Sequence, residues 1–516
     1  MNRQPFICSF FVASFALLNL HCESSQPAGP QMQSVGGGEM LVTISQGSLV
    51  TESPRTDPER DDALQGYLRD HPELFGPADV APEDLTFAET TPQAQMTNEA
   101  GEIYTLLALH QTVLGAPVID EMQMGAFFQT PDGDELRRVR GHLRDPSSLP
   151  TPPDPMVVSR DRVLPTVSEL IAARELSADL TTLSDDPVIA VKENISGYLI
   201  SSFEPTETGS GRRFRAVVDP RDLRVVVLED QPPCDSTAEV PAGNTLILLP
   251  STPYTPPGLA GLRFIPIQAV ALSDSDGSNL APITRQQIRI WVDAANQVWV
   301  PQAKVVFNFD DSAGSKDFET WNATFLNTVP PDDETYSKYN AAASVWALLF
   351  HHDKLVVFFR ARGGGGWSWG PTSTFFVSMP SYTNTGINKP GNGGWVSNDT
   401  VLSHELGHHM GLAHPFSGVA CFAATLANGN GDATGQDENT TADDVTDTNP
   451  DLSDTCLPTN SLTCPGGTTV YNDQTWDPPW DNVMSYHDCL PEMLTPSQVN
   501  VINLTLQHPV RANLIQ

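Results

Sequence analysis

The sequence predicts an α+β fold with two globular parts and a linker between them. Residues 61–230 alternate strand-like runs with a helical pattern, and residues 262–516 combine apolar strands with amphipathic helices. Residues 231–261 contain seven prolines, a composition typical of exposed segments that proteases cut. We therefore expect two α+β modules, with the region of activating cleavage in the linker.

The N-terminus has the pattern of an export signal. Arg3 precedes an apolar run of about 16 residues, which is short for a membrane span. Residues 1–22 are therefore expected to be a signal peptide, and residues 23–60, rich in Gly, Ser, Pro and charge, a flexible leader. The mature protein would be secreted. Cys22 lies where bacterial lipoproteins are acylated, but the residues before it fit that signal poorly, so a lipid anchor there stays open.

The composition excludes two classes of partner. The chain has 28 Lys and Arg against 63 Asp and Glu, a formal net charge of −35. Nucleic acids and anionic membranes are bound by basic patches, so neither is expected. After the signal, no run of 18 uninterrupted apolar residues occurs, and no transmembrane span is expected.

In the first module, hydrophobic spacing distinguishes one helix from several strands. Val167–Leu180 has apolar residues at helical intervals, and the turn Pro131–Asp134 separates two of the strands. The expected strands are residues 103–114, 126–128, 136–143, 198–203, 213–218 and 224–228.

In the second module, two helices have recognisable N-termini. Thr284 and Gln287 form a capping-box pattern at the start of an amphipathic helix over residues 283–299. The C-terminal helix begins at Thr495, followed by proline at its first position. The expected strands are residues 263–272, 304–309, 354–359 and, near the sheet edge, 374–379.

Residues 404–414 read HELGHHMGLAH, a pattern suited to metal chemistry. On a helix, His404 and His408 lie one turn apart on the same face. Glu405 projects beside them, close enough to take a proton from water without being a ligand. His409 points elsewhere and is expected to be structural.

The rest of the motif supplies a third ligand. Gly411 lets the chain leave the helix, because glycine tolerates left-handed backbone angles, and His414 can then return to the metal. Three nitrogens leave one position open, as in catalytic zinc sites. We therefore predict Zn²⁺ bound by His404, His408 and His414, with Glu405 as the catalytic base.

These residues match the signature HExxHxxGxxH, and the chain resembles the metzincins. The resemblance implies a twisted mixed sheet, an active-site helix, a C-terminal helix and a methionine turn beneath the zinc. Residues 481–486, DNVMSY, fit that turn, with Met484 as its hydrophobic floor. Tyr486 is expected to help stabilise the oxyanion, although a packing role stays open.

Within the metzincins, the chain resembles the pappalysin family over residues 260–516. The resemblance implies a secreted zinc metalloendopeptidase that acts on protein or peptide substrates. The matching stretches are His404–Phe416, Asp443–Thr448, Asn482–Cys489 and Leu494–Gln498.

The cysteines near the C-terminus suggest two disulfides, because an even number in an exported protein favours pairing. The pairing of the pappalysin family implies Cys421–Cys464 and Cys456–Cys489, which the long insertion after Cys421 leaves open.

The insertion after Cys421 is rich in oxygen donors that suit Ca²⁺, and related enzymes bind calcium there. A solvated acidic loop is the alternative. The candidate ligands are Asp432, Asp443, Asp444 and Asp447.

The first module resembles the propeptides of thermolysin and fungalysin precursors at His110–Val118 and Arg140–Leu143, with a PepSY-like second half at Arg213–Asp219. The resemblance implies a pro-domain that inhibits the enzyme or assists its folding. An unrelated α+β domain is the alternative. Cys234, unpaired by count and within the linker, is expected to hold the open zinc position until cleavage, unless it is a buried thiol or pairs with Cys22.

Two other functions stay open. A thermolysin-like metalloprotease would need a downstream glutamate ligand, but the next one, Glu438, lies in the acidic insertion. A non-catalytic exported zinc-binding surface protein would not need Glu405, which is intact.

Overall fold

The computed structural model describes most of the two expected modules, residues 29–60 in part, and only the end residues Gln231 and Gly261 of the expected linker. The helix expected over residues 167–180 lies mostly outside the described ranges. The described residues are 29–36, 39–76, 80–89, 93–118, 122–152, 179–190, 195–203, 213–218, 225–231, 261–328, 333–362, 366–368, 375–381, 387–388, 395–396, 398–412, 469–471, 474–476, 481–485, 493–507 and 509–515.

In the N-terminal part, the described residues form mostly antiparallel strands and two α-helices, of 14 and 4 residues. The helices are α1 (Asp57–Asp70) and α2 (Pro72–Phe75). The strands are β1 (Gln31–Gly36), β2 (Glu39–Thr43), β3 (Thr86–Glu89), β4 (Ala94–Asn98), β5 (Ile103–Val113), β6 (Ala116–Pro117), β7 (Gln123–Thr130), β8 (Gly133–Gly141), β9 (Asp179–Ala190), β10 (Ile195–Phe203), β11 (Arg213–Val218) and β12 (Val225–Gln231).

In the C-terminal part, the described residues form a set of parallel strands, two short antiparallel pairs, and helices of 4 to 19 residues. The strands are β13 (Arg263–Ser273), β14 (Val305–Asn308), β15 (Phe318–Asn322), β16 (Leu355–Arg360), β17 (Phe376–Pro380), β18 (Ile387–Asn388), β19 (Trp395–Val396), β20 (Thr469–Tyr471) and β21 (Gln474–Trp476). The helices are α3 (Arg285–Ala303), α4 (Thr324–Asn327), α5 (Asp333–Phe350), α6 (Asn398–His409), α7 (Pro496–Gln507) and α8 (Pro509–Ala512).

One mixed sheet joins the two parts. Its strand order is β1-β2-β8-β7-β5-β4-β15-β13-β16-β17, with β14 beside β13 and with β3 and β6 beside β5, which makes 13 strands among the described residues. The junction is the antiparallel pairing of β4 with β15, where Asn98 lies opposite Trp321 and Thr97 opposite Asn322. The fold therefore combines a large mixed sheet with several helices, compatible with the expected α+β class. The strands β12-β11-β10-β9 form a separate antiparallel sheet.

The central strand β13 is buried on both faces, as parallel strands between helical layers are. Ile265, Ile267 and Ala269 face the core formed with α3 and α6. Val270 and Leu272 face the other core, which contains α5. This arrangement places α6, the helix of the HExxH motif, on the α3 side of the sheet.

Most expected elements are confirmed. The helix expected over residues 283–299 is α3, and the Thr284 hydroxyl accepts a hydrogen bond from the Gln287 backbone N–H at 3.2 Å. Strands form at or within a few residues of each expected position in both parts. Among the described helices, none combines the length and apolarity needed to cross a membrane.

The expectation of a flexible leader over residues 23–60 is wrong for its described part. Residues 31–36 and 39–43 form β1 and β2, and β2 pairs with β8. The polar composition suggested disorder, but Leu41 and Val42 are buried, which supplies the apolar contact that orders this segment.

Candidate metal centre

Helix α6 directs two imidazoles at each other. Because His404 and His408 lie four residues apart, they share a face of the helix, and their Nε2 atoms are 3.1 Å apart. His404 Nδ1 lies 2.9 Å from the Val483 carbonyl oxygen, and His408 Nδ1 lies 2.8 Å from that of Leu412. A carbonyl only accepts, so each Nδ1 carries the proton that it donates.

This tautomer leaves the lone pair of each ring on Nε2. Burial lowers the pKa of His404 to about 3, helped by the charge of His408, and lowers the pKa of His408 to about 4. Both rings are therefore neutral at neutral pH, with two acceptor nitrogens facing each other. Two nitrogens bound to one tetrahedral zinc lie about 3.3–3.4 Å apart, so the pair fits a shared metal ion. Metal-binding histidines commonly donate their other N–H to a carbonyl.

Glu405 is buried beside this pair. It is 5% exposed, and its Oε2 atom has no hydrogen-bond partner among the residues that the structure describes. Burial raises the pKa of the Glu405 carboxyl well above its ordinary value, while the Arg360 charge and a hydrogen bond with the Ser368 backbone oppose that rise. A carboxyl with a raised pKa and an available oxygen suits a group that accepts and returns protons.

A glycine accommodates Glu405. A Cβ atom added to Gly366 would lie 2.5 Å from Glu405 Cγ and 2.9 Å from its Oε1 atom. The next residue, Trp367, forms an antiparallel bridge to Ser378 of β17 and holds the Arg360 guanidinium 4.0 Å from its ring centroid. The segment beside β17 therefore forms one wall around the glutamate. The sequence indicated Gly363–Gly366 only as a chain break, and nothing in it pointed to Arg360.

Met484, the residue predicted to form the methionine turn, packs closely against α6. It is fully buried, and a Cβ atom added to Gly407 would overlap its sulfur. Glycine at position 407 therefore permits the close approach of methionine and helix. In the same turn, Val483 supplies the carbonyl that orients His404.

A pair of side-chain amides holds this turn against α7. Asn482 Nδ2 donates to Gln498 Oε1 at 2.9 Å, and Gln498 Nε2 donates to Asn482 Oδ1 at 3.1 Å. Gln498 Oε1 also accepts from the Thr495 backbone N–H, and Thr495 Oγ1 accepts from that of Gln498, which completes a capping box. Asn482 Oδ1 accepts from the Met484 N–H at 2.9 Å. The sequence predicted the cap but not its contact with the turn.

His409 has a structural position, as expected. It is 1% exposed, and its Nδ1 atom lies 3.2 Å from the Ser368 hydroxyl oxygen. Burial lowers its pKa well below the ordinary value, and the nearby Arg511 charge acts in the same direction. Its ring is therefore buried and in hydrogen-bond contact with the segment beside β17.

The remaining candidate residues lie outside the described part of the chain. This applies to the third zinc ligand and the tyrosine of the turn, to the calcium ligands, and to the cysteines of the disulfides and of latency. Within the described ranges, no group of three or more His, Cys, Asp or Glu side chains is placed to hold a metal ion. The residues concerned are His414, Tyr486, Asp432, Asp443, Asp444, Asp447, Cys22, Cys234, Cys421, Cys456, Cys464 and Cys489.

Comparison with known proteins adds no assignment. No family model matches the chain. The curated proteins give no match either.

Proposed function

We propose that this chain is a secreted, zinc-dependent metalloendopeptidase that is made as a latent precursor. The observation that carries the proposal is the pair of Nε2 atoms 3.1 Å apart, each on a ring whose other nitrogen donates to a carbonyl. The buried Glu405 carboxyl beside them supplies the second requirement, a proton acceptor.

In this proposal His404, His408 and His414 hold the zinc ion. Bound zinc would act as a Lewis acid that makes water nucleophilic near neutral pH. Glu405 takes a proton from the attacking water and delivers it to the leaving amine. The raised pKa of Glu405 favours its protonated form, which delivers the proton to the amine. The Arg360 charge opposes that rise and so favours the carboxylate form, which accepts the proton from water. Tyr486 would stabilise the oxyanion by donating its hydroxyl proton.

The class within zinc peptidases is proposed to be a pappalysin-like metzincin. The close packing of Met484 on Gly407 supports this class over a thermolysin-like enzyme, because a methionine turn beneath the zinc helix belongs to the metzincin pattern. The buried glutamate argues against a non-catalytic zinc-binding protein, since burying a carboxyl without a chemical role is costly.

Three further features belong to the same proposal. Ca²⁺ bound by the acidic insertion would stabilise the loop after the zinc helix. Cys234 would keep the precursor latent by occupying the open zinc position. The export signal would deliver the enzyme outside the cell, with Cys22 as an alternative lipid anchor.

The test compares Glu405→Gln with a control, Glu83→Gln, at an exposed position in the first module. Glu405→Gln keeps the shape of the side chain but cannot accept the proton, so we expect kcat on a peptide library to fall by about 10²–10⁴-fold. Zinc content should stay the same in both variants, and the control should keep its activity. Full activity in Glu405→Gln, or wild-type protein that binds no zinc, would refute the proposal.

A further inference from the structure

Helix α5 is buried around its whole circumference near its C-terminal end. All eight residues from Ala342 to Leu349 are buried, although they span more than two turns. A helix that is apolar on every side needs protein around it on every side.

The two halves of the chain together provide that enclosure. Val270, Val356 and Phe358 of the C-terminal half contribute to the core around α5. Tyr104 and Leu106 of β5 contribute to the same core from the N-terminal half, as do other side chains of that half. These N-terminal side chains are Val35, Leu41, Met96, Ala108, Met124 and Ala126.

Polar contacts complete the end of α5. Arg140 Nη1 donates to the Leu348 carbonyl at 3.0 Å, and Arg138 Nη1 donates to that of Leu349 at 2.9 Å. The Arg138 guanidinium also lies 4.3 Å from the Phe350 ring centroid. The last carbonyls of a helix lack intrahelical partners, so two arginines of β8 perform the capping that α5 needs.

Aromatic packing continues across the junction of the sheet. The Tyr104 ring centroid lies 5.9 Å from that of Trp321 on β15 and 5.3 Å from that of Phe350 on α5. The pairing of β4 with β15 adds backbone hydrogen bonds at the same place. At the other end of the N-terminal sheet, the Asn513 side chain donates to the Val35 carbonyl.

We propose that the N-terminal module, residues 29–152, is a permanent structural subunit of the mature protein and stays bound after the linker is cut. Its contact with the C-terminal half resembles a domain core divided between two chains, which is typical of obligate assemblies. Release would expose one side of α5 and the edge of β15 to water. The mature protein is therefore a non-covalent complex of two chains, and cleavage acts on the linker alone. This inference rests on the proposed cleavage of the linker, but it does not depend on the metal or on peptidase activity.

The experiment uses the full chain with a recognition site for a sequence-specific protease placed within residues 241–256. After complete cleavage, size-exclusion chromatography at micromolar concentration in 0.5 M NaCl should give one peak that contains both fragments, identified by mass spectrometry. Elution of the fragments in separate peaks overturns the inference. Adding Glu405→Gln to the same full-length chain prevents self-digestion, so the result is independent of the proposed activity.

A second measurement tests the contact itself in the uncut protein. The double variant Arg138→Ala, Arg140→Ala should raise the amide hydrogen exchange of residues 342–350 at least tenfold. Arg137→Ala is the matched control, because that neighbouring side chain pairs with Glu135 of its own strand. Equal exchange in the double variant and the control would show that the module does not close this end of α5, and would overturn the inference.

Discussion

Gly407 lies inside α6 between the two histidines, and its replacement by alanine tests the packing beneath them. In an exposed helix, glycine to alanine stabilises by about 1 kcal/mol. At position 407 the added methyl group would overlap the Met484 sulfur, which is fully buried. Overpacking of a core costs about 1–3 kcal/mol. The sum predicts that Gly407→Ala lowers the free energy of unfolding by about 0–2 kcal/mol, despite its better helix propensity.

Gly66 on α1 provides the matched control. It is also a glycine within a helix, but a Cβ atom added there meets no described atom within 4 Å. Gly66→Ala should therefore raise the free energy of unfolding by about 1 kcal/mol. Equilibrium urea unfolding of zinc-free protein measures both changes, and a zinc titration shows whether the displaced methionine weakens binding at the histidine pair.

A double variant separates steric overlap from other effects. Met484→Ala alone should cost about 2–5 kcal/mol, because it leaves a cavity. In combination, the methyl group that Gly407→Ala adds enters that cavity, so the double variant should be about 1–3 kcal/mol more stable than the sum of the two single changes predicts. Strict additivity, or a stabilisation by Gly407→Ala equal to that of Gly66→Ala, would refute the close packing.

Two further predictions concern the amide pair and the junction of the halves. Gln498→Leu should lower the free energy of unfolding by about 1–3 kcal/mol, because the buried Asn482 amide would lose its hydrogen-bond partner. The double variant Gln498→Leu, Asn482→Leu should recover part of this loss. Urea unfolding measures both changes, and a Gln498→Leu variant as stable as wild type would contradict the pairing. Burial, helped by the Glu102 charge, raises the pKa of Tyr104 in the folded protein. The contribution of Tyr104 to the free energy of unfolding should therefore be fully present below the unfolded pKa of about 10 and be lost as pH rises through the folded pKa. Tyr104→Phe keeps the ring and should reduce this alkaline loss in pH-dependent unfolding, and an unchanged pH profile would contradict it.

The histidine pair was predictable because its geometry is local. Helical periodicity alone places His404 above His408, and glycine at position 411 has the left-handed backbone that the sequence suggested, with φ of 87°. The surroundings of Glu405 were not predictable, because they depend on tertiary contacts. Arg360 and Gly366 precede Glu405 by about 40 residues, and they come close to its carboxyl only when β16 and β17 are paired.

The N-terminal half shows the same division between local and long-range information. The apolar alternation of residues 103–114 is sufficient to predict β5. The order of residues 31–43 is not visible locally, because β2 pairs with β8, about 100 residues later, and β1 pairs with β2. The buried end of helix α5 has no polar face, because both halves of the chain enclose it. The alternation of apolar and polar residues that reveals a surface helix is therefore missing there.

The hydrogen bonds around the site connect its geometry to the end of the chain. His404 is oriented by a carbonyl 79 residues away, and that carbonyl belongs to a turn held by Gln498, which also caps α7. Helix α7 contacts α3, which in turn packs on α6. Helix α7 is therefore part of the support of the histidine pair. A change that unwinds the first turn of α7 should loosen His404 before it alters His408, because the carbonyl partner of His408 belongs to Leu412, only four residues away.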